Sequence, residues 1–190
     1  MPLHRLMSAM ALVAAACGSA DNEPVVLDGT PVALLEYVAT APADWQQRQP
    51  GSQMRLAEFT TPAAGDAAAA EVVVYFFGQG QGGDLAANVE RWRNQFANDD
   101  GTRPEPEITQ ENGAAFSTTV VKLRGRYARS IGMGDTTTVV RPDQILLAAI
   151  VETPRGNLHV QMHGPATTVT AQEPSFRRFI SGIRAHSPQS

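Results

Sequence analysis

The chain has 190 residues, a length typical of one domain with short accessory segments, and a domain of this size holds a core without a metal or a disulfide. The formal net charge of -4 and the sequence pI of about 5.5 argue against a nucleic-acid partner, because phosphate binding favours a basic surface. Cys17 is the only cysteine, so an internal disulfide is excluded.

The first sixteen residues have the layout of a secretory signal peptide. His4 and Arg5 precede an apolar run over residues 6–16, and small residues follow. This run is much shorter than the ~20 residues that a membrane-spanning helix requires. We therefore predict that residues 1–16 are a cleaved signal peptide and that the mature protein is exported.

Two processing routes remain open at Cys17. The three alanines before it resemble a bacterial lipobox, with Ala14 where the usual lipobox has leucine, and they also satisfy the ordinary A-x-A cleavage rule. Because an unpaired thiol is a liability in an oxidising compartment, we favour lipidation, which predicts a membrane anchor through acyl chains on Cys17. Gly18 is typical of lipoproteins sent to the outer membrane, facing the periplasm, if the host has two membranes.

Residues 17–31 are small, polar and interrupted by proline, which predicts a flexible tether, with a short edge strand over 25–27 as the alternative. A single domain over residues 32–187 follows. Its strand-like segments are 32–40, 54–60, 72–77, a hairpin over 108–123 that turns at Asn112-Gly113, 145–151 and 158–163. Residues 72–77 and 145–151 are apolar throughout, so we expect these two strands to be covered on both faces.

A glycine-rich turn and a helix follow the strand over 72–77. The turn is Gly78-Gln79-Gly80-Gln81-Gly82-Gly83. Asp84 can cap the helix, and Leu85, Val89, Trp92 and Phe96 form one apolar stripe. The turn satisfies the dinucleotide motif G-x-G-x-x-G, but no apolar parallel strand follows the helix, so we interpret it as a structural turn. An anion at the helix start stays open as an alternative.

A second helix is predicted near the carboxyl end, where Phe176, Phe179, Ile180 and Ile183 share a face and Pro174 lies near the start. Hairpins joining most strands, with helices at two places, predict an α+β fold. The expected architecture is one largely antiparallel sheet with helices packed on both faces.

No catalytic motif stands out. His159 and His163 are too far apart on one strand, at ~13 Å between α-carbons, to share a metal, so we interpret them as solvated histidines. The acids over 99–111 do not match the calcium loop. Neither G-x-S-x-G nor H-E-x-x-H occurs. We therefore predict no catalytic residue, no metal and no cofactor, and a protein that is not an enzyme.

From Trp45 onward the chain resembles a family of uncharacterised bacterial lipoproteins. The matching segments are 54–59 (MRLAEF), 77–83 (FGQGQGG), 88–96 (NVERWRNQF), 149–154 (AIVETP), 164–165 (GP) and the final helix. The resemblance implies a lipoprotein and no particular activity. The order of elements is similar, more distantly, to the PsbP-like extrinsic photosystem proteins, in which an antiparallel sheet lies between helices.

Two functional hypotheses follow. The first is a non-catalytic, lipid-anchored envelope protein that binds another envelope protein or assists assembly. The second is a small-ligand or anion binder that uses the turn from Gly78 to Asp84; a hydrolase ranks below both. The predicted contact residues are Gln79, Gly80, Gln81, Gly82, Gly83 and Arg91.

Overall fold

The computed structural model describes residues 28–130 and 138–186. The predicted signal peptide, Cys17 with its acyl anchor and most of the tether lie outside these residues and stay predictions. The described residues form two antiparallel sheets and two helices, α1 (Leu85–Arg93) and α2 (Ala166–Ser181). No helix among them is long and apolar enough to cross a membrane.

The larger sheet has eight strands. They are β3 (Gln46–Arg48), β4 (Arg55–Thr60), β5 (Glu71–Phe76), β6 (Phe96–Ala97), β7 (Glu107–Asn112), β8 (Ser117–Ser130), β9 (Thr138–Val151) and β10 (Leu158–Pro165). Their order is β3-β4-β5-β10-β9-β8-β6, and β7 also pairs with β8. The neighbours of β5 are β4 and β10, and both pair with it antiparallel. This sheet is not the parallel arrangement of a dinucleotide-binding fold.

The prediction of one strand over residues 32–40 is wrong, because these residues belong to two strands of the smaller sheet. They are part of a hairpin of β1 (Gly29–Leu34) and β2 (Tyr37–Pro42), and β11 (Arg184–Ala185) pairs with β2. The turn between them contains Leu35, whose φ of 62° is uncommon for a residue with a side chain. Neither Leu35 nor Glu36 is a turn-forming residue type, so the sequence carries no signal for this turn.

One face of the large sheet is covered by the small sheet and α2. Side chains on this face include Val72 and Val74 of β5 and Leu147 and Ala149 of β9. They pack in one cluster with Phe59 and with the apolar side of α2, which presents Val169, Phe176, Phe179 and Ile180. The cluster forms the main core of the protein.

The other face carries a second, smaller cluster. It contains Leu146, Ala148 and Ile150 of β9, which alternate with the main-core residues because successive strand side chains point to opposite faces. Val89 and Trp92 of α1 pack on them. A helix of nine residues spans only ~14 Å, whereas seven neighbouring strands span roughly 29 Å. The helix α1 therefore leaves part of this face open.

The helix α2 starts earlier than predicted. It begins at Ala166, directly after β10, so Pro174 lies in its interior and not near its start. The first turns contain three threonines, which weaken the helical signal in the sequence, although Thr168 and Val169 are buried. The hairpin of β7 and β8 is confirmed, but its connection spans residues 113–116, since Asn112 pairs with Ser117. The pairing of β8 with β9 shifts register between Gly125 and Tyr127.

These observations confirm the coarse prediction of an α+β fold built on a largely antiparallel sheet. The full coverage expected for the two apolar strands holds for β9, whose residues 145–151 are all buried. It holds only for the first half of β5, because Tyr75 and Phe76 are half-buried.

Candidate functional site

A cleft of about 930 Å³ opens where α1 leaves the second face of the large sheet uncovered. Its floor is made by side chains of β5, β9 and β10, and one wall by the last turns of α1. Arg55 of β4, Tyr127 of β8 and Arg141 of β9 complete the rim. The lining residues are Arg55, Glu71, Val73, Tyr75, Phe77, Arg91, Trp92, Gln95, Tyr127, Ala128, Arg141, Leu146, Gln161 and His163.

A row of aromatic rings runs along the floor. The rings of Tyr75 and Phe77 lie parallel within 8°, with centroids 5.7 Å apart. They can do so because residues two apart on a strand share a face. The guanidinium carbon of Arg55 lies 5.5 Å from the ring centroid of Tyr75, and Phe77 meets the ring of His159 edge to face at 5.2 Å. The row therefore joins a cation at one end to a buried imidazole at the other.

The charge of Arg55 is balanced locally. Its Nη1 lies 3.0 Å from Oε1 of Glu58, a carboxylate that is only 6% exposed. The same oxygen accepts a hydrogen bond from the backbone N–H of Gly51 at 2.7 Å. This backbone hydrogen bond, more than the nearby Arg55, holds the pKa of Glu58 below its ordinary value, against the opposing effect of burial.

Arg91 and Arg141 differ from Arg55 in their ion pairing. No carboxylate among the described residues lies within ion-pair distance of either. Of the described residues that line the cleft, Glu71 is the one acid and three are arginines. The chain as a whole has a formal charge of -4. The described lining of the cleft is thus positively charged in a chain whose formal net charge is negative, which favours the approach of anions.

The glycine turn positions Arg91. Asn88 is buried in α1, and its side-chain amide donates hydrogen bonds to the carbonyls of Gly82 and Asp84, each at 2.8 Å. This fixes the amide, so its Oδ1 points outward and accepts a hydrogen bond from the guanidinium of Arg91. A positive φ at Gly82 and Gly83, 94° and 77°, brings their carbonyls to this position.

The predicted helix cap is confirmed. Asp84 Oδ1 accepts a hydrogen bond from the backbone N–H of Ala87 at 2.8 Å, and α1 begins at the next residue, Leu85. The structural interpretation of the turn also holds, since four of its glycines have positive φ. The carboxylate of Asp84 occupies the place at the helix start that an external anion would need.

The predicted contact residues divide into two groups. Arg91 lines the cleft, whereas Gln79, Gly80 and Gln81 are exposed on the turn outside it, and Gly82 and Gly83 form the inner part of the turn. No contact of these residues with a ligand or a partner has been tested, so that role stays a prediction.

The prediction of two solvated histidines is wrong for His159. This side chain is 1% exposed, and neither ring nitrogen has a hydrogen-bond partner among the described residues. Gly82 lies so close that a Cβ there would come within 2.7 Å of Nε2. Burial, and secondarily the charge of Arg91, lowers the pKa of His159 below its ordinary 6.5. The reason for the error is that α1 and the turn cover this part of the strand.

His163 is half-buried at the cleft, with its ring centroid 4.2 Å from that of Tyr127. Within residues 28–130 and 138–186, no group of three or more histidine, cysteine, aspartate or glutamate side chains is placed to hold a metal ion. Among the described residues, the lining of the cleft contains no serine, threonine or cysteine. The cleft as described therefore has donors and aromatic surface for binding but none of the usual hydroxyl or thiol nucleophiles.

Sequence reasoning found Arg91 and missed most of the cleft. Arg55 and Arg141 lie on strands far apart in the chain, and only the sheet order brings them to one rim. A usable signal was present in β10, where Gln161 and His163 alternate with buried Val160 and Met162. That alternation indicates that one face of β10 is polar, but it does not indicate that α1 makes this face concave.

No protein-family model matches the chain, and no curated protein matches it in sequence. Among solved structures, it is similar to PA94, a protein of unknown function from Pseudomonas aeruginosa, with 17% identity over 84% of this chain and 98% of that chain and a TM-score of 0.49. It is also similar to the cyanobacterial PsbP protein CyanoP from Synechocystis sp. PCC 6803, with 13% identity, coverage of 80% and 87%, and a TM-score of 0.46.

A third similar structure is LpqN, which is involved in cell envelope biogenesis of Mycobacterium tuberculosis. Its identity is 12%, the coverage is 88% of each chain, and the TM-score is 0.48. At these values no residue of the cleft and no activity passes from these proteins to this chain. The resemblance to a lipoprotein family stays a prediction.

Proposed function

We propose that this chain is an exported, non-catalytic binding protein of the cell envelope, anchored through Cys17, and that it holds a small ligand in the cleft. The observation that carries the proposal is the cleft itself, with its aromatic floor and its polar rim. Ligand sites of small molecules are concave, occupy ≈ 300–1,000 Å³ and combine apolar walls with a few polar groups. A volume of about 930 Å³ fits that range.

This geometry favours a small ligand over a flat protein partner, so we prefer the second sequence-based hypothesis, a small-ligand binder, to the first. We also place the binding site in the cleft and not at the glycine turn. The turn from Gly78 to Asp84 presents the carboxylate of Asp84 at the start of α1, which would repel an anion there. In the proposed arrangement the turn instead holds Asn88 and Arg91 in place beside the cleft.

The finer architecture is part of the proposal. We assign the domain to a PsbP-like sandwich with one helix on each face of the large sheet. In support, α2 belongs to the cluster with Leu147 and Ala149, and α1 to the cluster with Leu146 and Ala148. The main core then gives rigidity, while the short α1 on the opposite face leaves room for a ligand.

The anchor is tested by replacing Cys17 with alanine in the native host. We expect the variant to lose labelling by radioactive fatty acid and to leave the membrane fraction, because acyl chains on this residue supply the attachment. Unchanged labelling and unchanged fractionation would contradict the anchor.

The ligand site is tested by mass spectrometry of small molecules that copurify with the full mature chain. Ala128→Trp fills the cleft from a half-buried lining position, and Ala86→Trp is the matched control on the exposed side of α1. We expect one molecule to copurify with the wild type and the control and to be depleted from Ala128→Trp. Equal amounts in all three, or no molecule in any, would contradict a ligand in the cleft.

A further inference from the structure

We infer that the ligand is an organic oxyanion, a molecule with a carboxylate or phosphate group that Arg91 and Arg141 bind, and with an aromatic or apolar body that fills the rest of the cleft. This inference rests on the proposed function and adds the chemical class of the ligand. It is carried by charge, by the orientation of one arginine, and by the way the aromatic rings are packed.

The first argument is charge. Of the three arginines at the cleft, Arg55 is neutralised by Glu58 at 3.0 Å, whereas Arg91 and Arg141 have no carboxylate partner within the described part of the chain. Among the described residues, Glu71 is the single acid that lines the cleft. Two guanidinium groups that line one concave site, with no carboxylate partner in the described part of the chain, attract an oxyanion.

The second argument is the orientation of Arg91. A guanidinium group has five N–H donors and no acceptor. Arg91 uses one donor on Asn88 Oδ1, and Asn88 is itself held by backbone carbonyls of the turn. The guanidinium is therefore fixed on its protein side while its remaining donors are available to the cleft. A planar donor group of this kind matches the geometry of a carboxylate or a phosphate.

The third argument is the packing of the floor. The ring of Tyr75 has the guanidinium of Arg55 over it and lies parallel to Phe77, and Phe77 is in edge-to-face contact with His159. The floor therefore offers aromatic surface of the kind that lines small-molecule sites and contacts the apolar or aromatic body of a ligand.

The volume of the cleft is larger than a bare inorganic ion would fill. About 930 Å³ is many times the ≈ 30 Å³ that one water molecule occupies in the liquid. The remaining lining includes the half-buried rings of Tyr75, Phe77 and Tyr127. An apolar or aromatic body beside the charged group would cover these side chains.

Three probes that share a benzene ring and differ in charge test the inference: phenyl phosphate, benzyl alcohol and benzylamine. Each is titrated into the full mature chain by calorimetry and by thermal melting. We expect phenyl phosphate to bind about tenfold or more tightly than benzyl alcohol, and benzylamine to bind least, because a charge-assisted hydrogen bond contributes roughly that ratio. At equal concentrations, phenyl phosphate should raise the melting temperature most of the three.

The variant Arg91→Gln/Arg141→Gln should weaken phenyl phosphate binding about tenfold or more. Arg178→Gln, an exposed arginine of α2 away from the cleft, is the matched control and should leave the affinity unchanged. Phenyl phosphate that binds no better than benzyl alcohol, or equal binding to the double variant, would overturn the inference, yet a copurifying molecule lost from Ala128→Trp would still support the proposed function. If no molecule copurifies and none of the three probes binds, both fail.

Discussion

At the scale of single residues, Gly82 is the most constrained position next to the cleft. Its φ is 94°, and an added Cβ would lie 2.7 Å from Nε2 of His159 and 3.0 Å from the ring of Phe77. Gly80 also has a positive φ, 69°, but open space surrounds it. A side chain at Gly80 would therefore introduce backbone strain alone, whereas a side chain at Gly82 would introduce backbone strain and steric overlap.

We expect Gly80→Ala to lower the free energy of unfolding by about 1 kcal/mol, because a side chain in left-handed backbone is strained. Gly82→Ala should cost about 2–4 kcal/mol, since overlap with a buried imidazole adds an overpacking term. Urea denaturation of both variants measures the difference. Equal losses would mean that Gly82 is not packed against His159 as described.

At the scale of elements, Thr168 ties α2 to the connection between β4 and β5. Its buried hydroxyl donates a hydrogen bond to the carbonyl of Ala68 at 2.7 Å and accepts one from the N–H of Ala64 at 3.3 Å. Few other polar contacts hold this irregular segment, residues 61–70, against the helix.

We expect Thr168→Val to destabilise the protein by about 1–3 kcal/mol, because the shape is kept while two hydrogen bonds, each contributing roughly 0.5–1.5 kcal/mol, are lost. Chemical denaturation measures the loss. Thr170→Val, at an exposed position of the same helix, is the control and should change stability by less than about 0.5 kcal/mol. A Thr168→Val protein as stable as this control would contradict the assigned role of the hydroxyl.

Pro174 is the second feature of α2 that has a measurable consequence. It is exposed and lies inside a helix of sixteen residues, where proline removes one backbone hydrogen bond. Pro174→Ala should therefore raise the free energy of unfolding by about 1–3 kcal/mol. A thermal melt measures it. A lowered melting temperature would show that the proline is needed for the path of α2.

The elements also show what the sequence could and could not reveal. Apolar runs predicted β5 and β9, and a polar residue at a helix start predicted the cap Asp84, because these signals are local. The turn at Leu35 was missed because nothing in its residue types requires a turn. The cleft was missed for a different reason: Arg55, Arg91 and Arg141 meet only through strand order and the shortness of α1, which are properties of the whole sheet.

At the scale of the whole molecule, His159 makes stability depend on pH. Burial lowers its pKa in the folded protein below the 6.5 of the unfolded chain. Below pH 6.5 the unfolded chain takes up a proton that the folded protein does not, so stability falls as pH falls toward the folded-state pKa. Glu58 acts in a lower window: its folded pKa lies below 4.5, so its stabilising contribution is present above 4.5 and is lost as pH falls through the folded value.

We expect the free energy of unfolding to decline below about pH 6.5 by up to ~1.4 kcal/mol per pH unit from His159. Denaturation of the wild type and His159→Leu from pH 7.5 to 5 measures it as a difference between the two profiles. The variant should lack this decline, because the measured range lies above the pH at which Glu58 loses its stabilising contribution. Parallel profiles over the whole range would contradict a neutral, buried His159.

The most direct measurement determines whether an oxyanion binds on the face of the large sheet that α1 packs against. Trp92 lines the cleft, and Trp45 lies in the main core on the opposite face, so each of the two tryptophans reports on one side. Phenyl phosphate is titrated into Trp45→Phe, which leaves Trp92, and into Trp92→Phe, which leaves Trp45. We expect a saturable change in fluorescence from Trp92 and none from Trp45. The same change from both, or a change from Trp45 alone, would contradict binding of the oxyanion in the cleft.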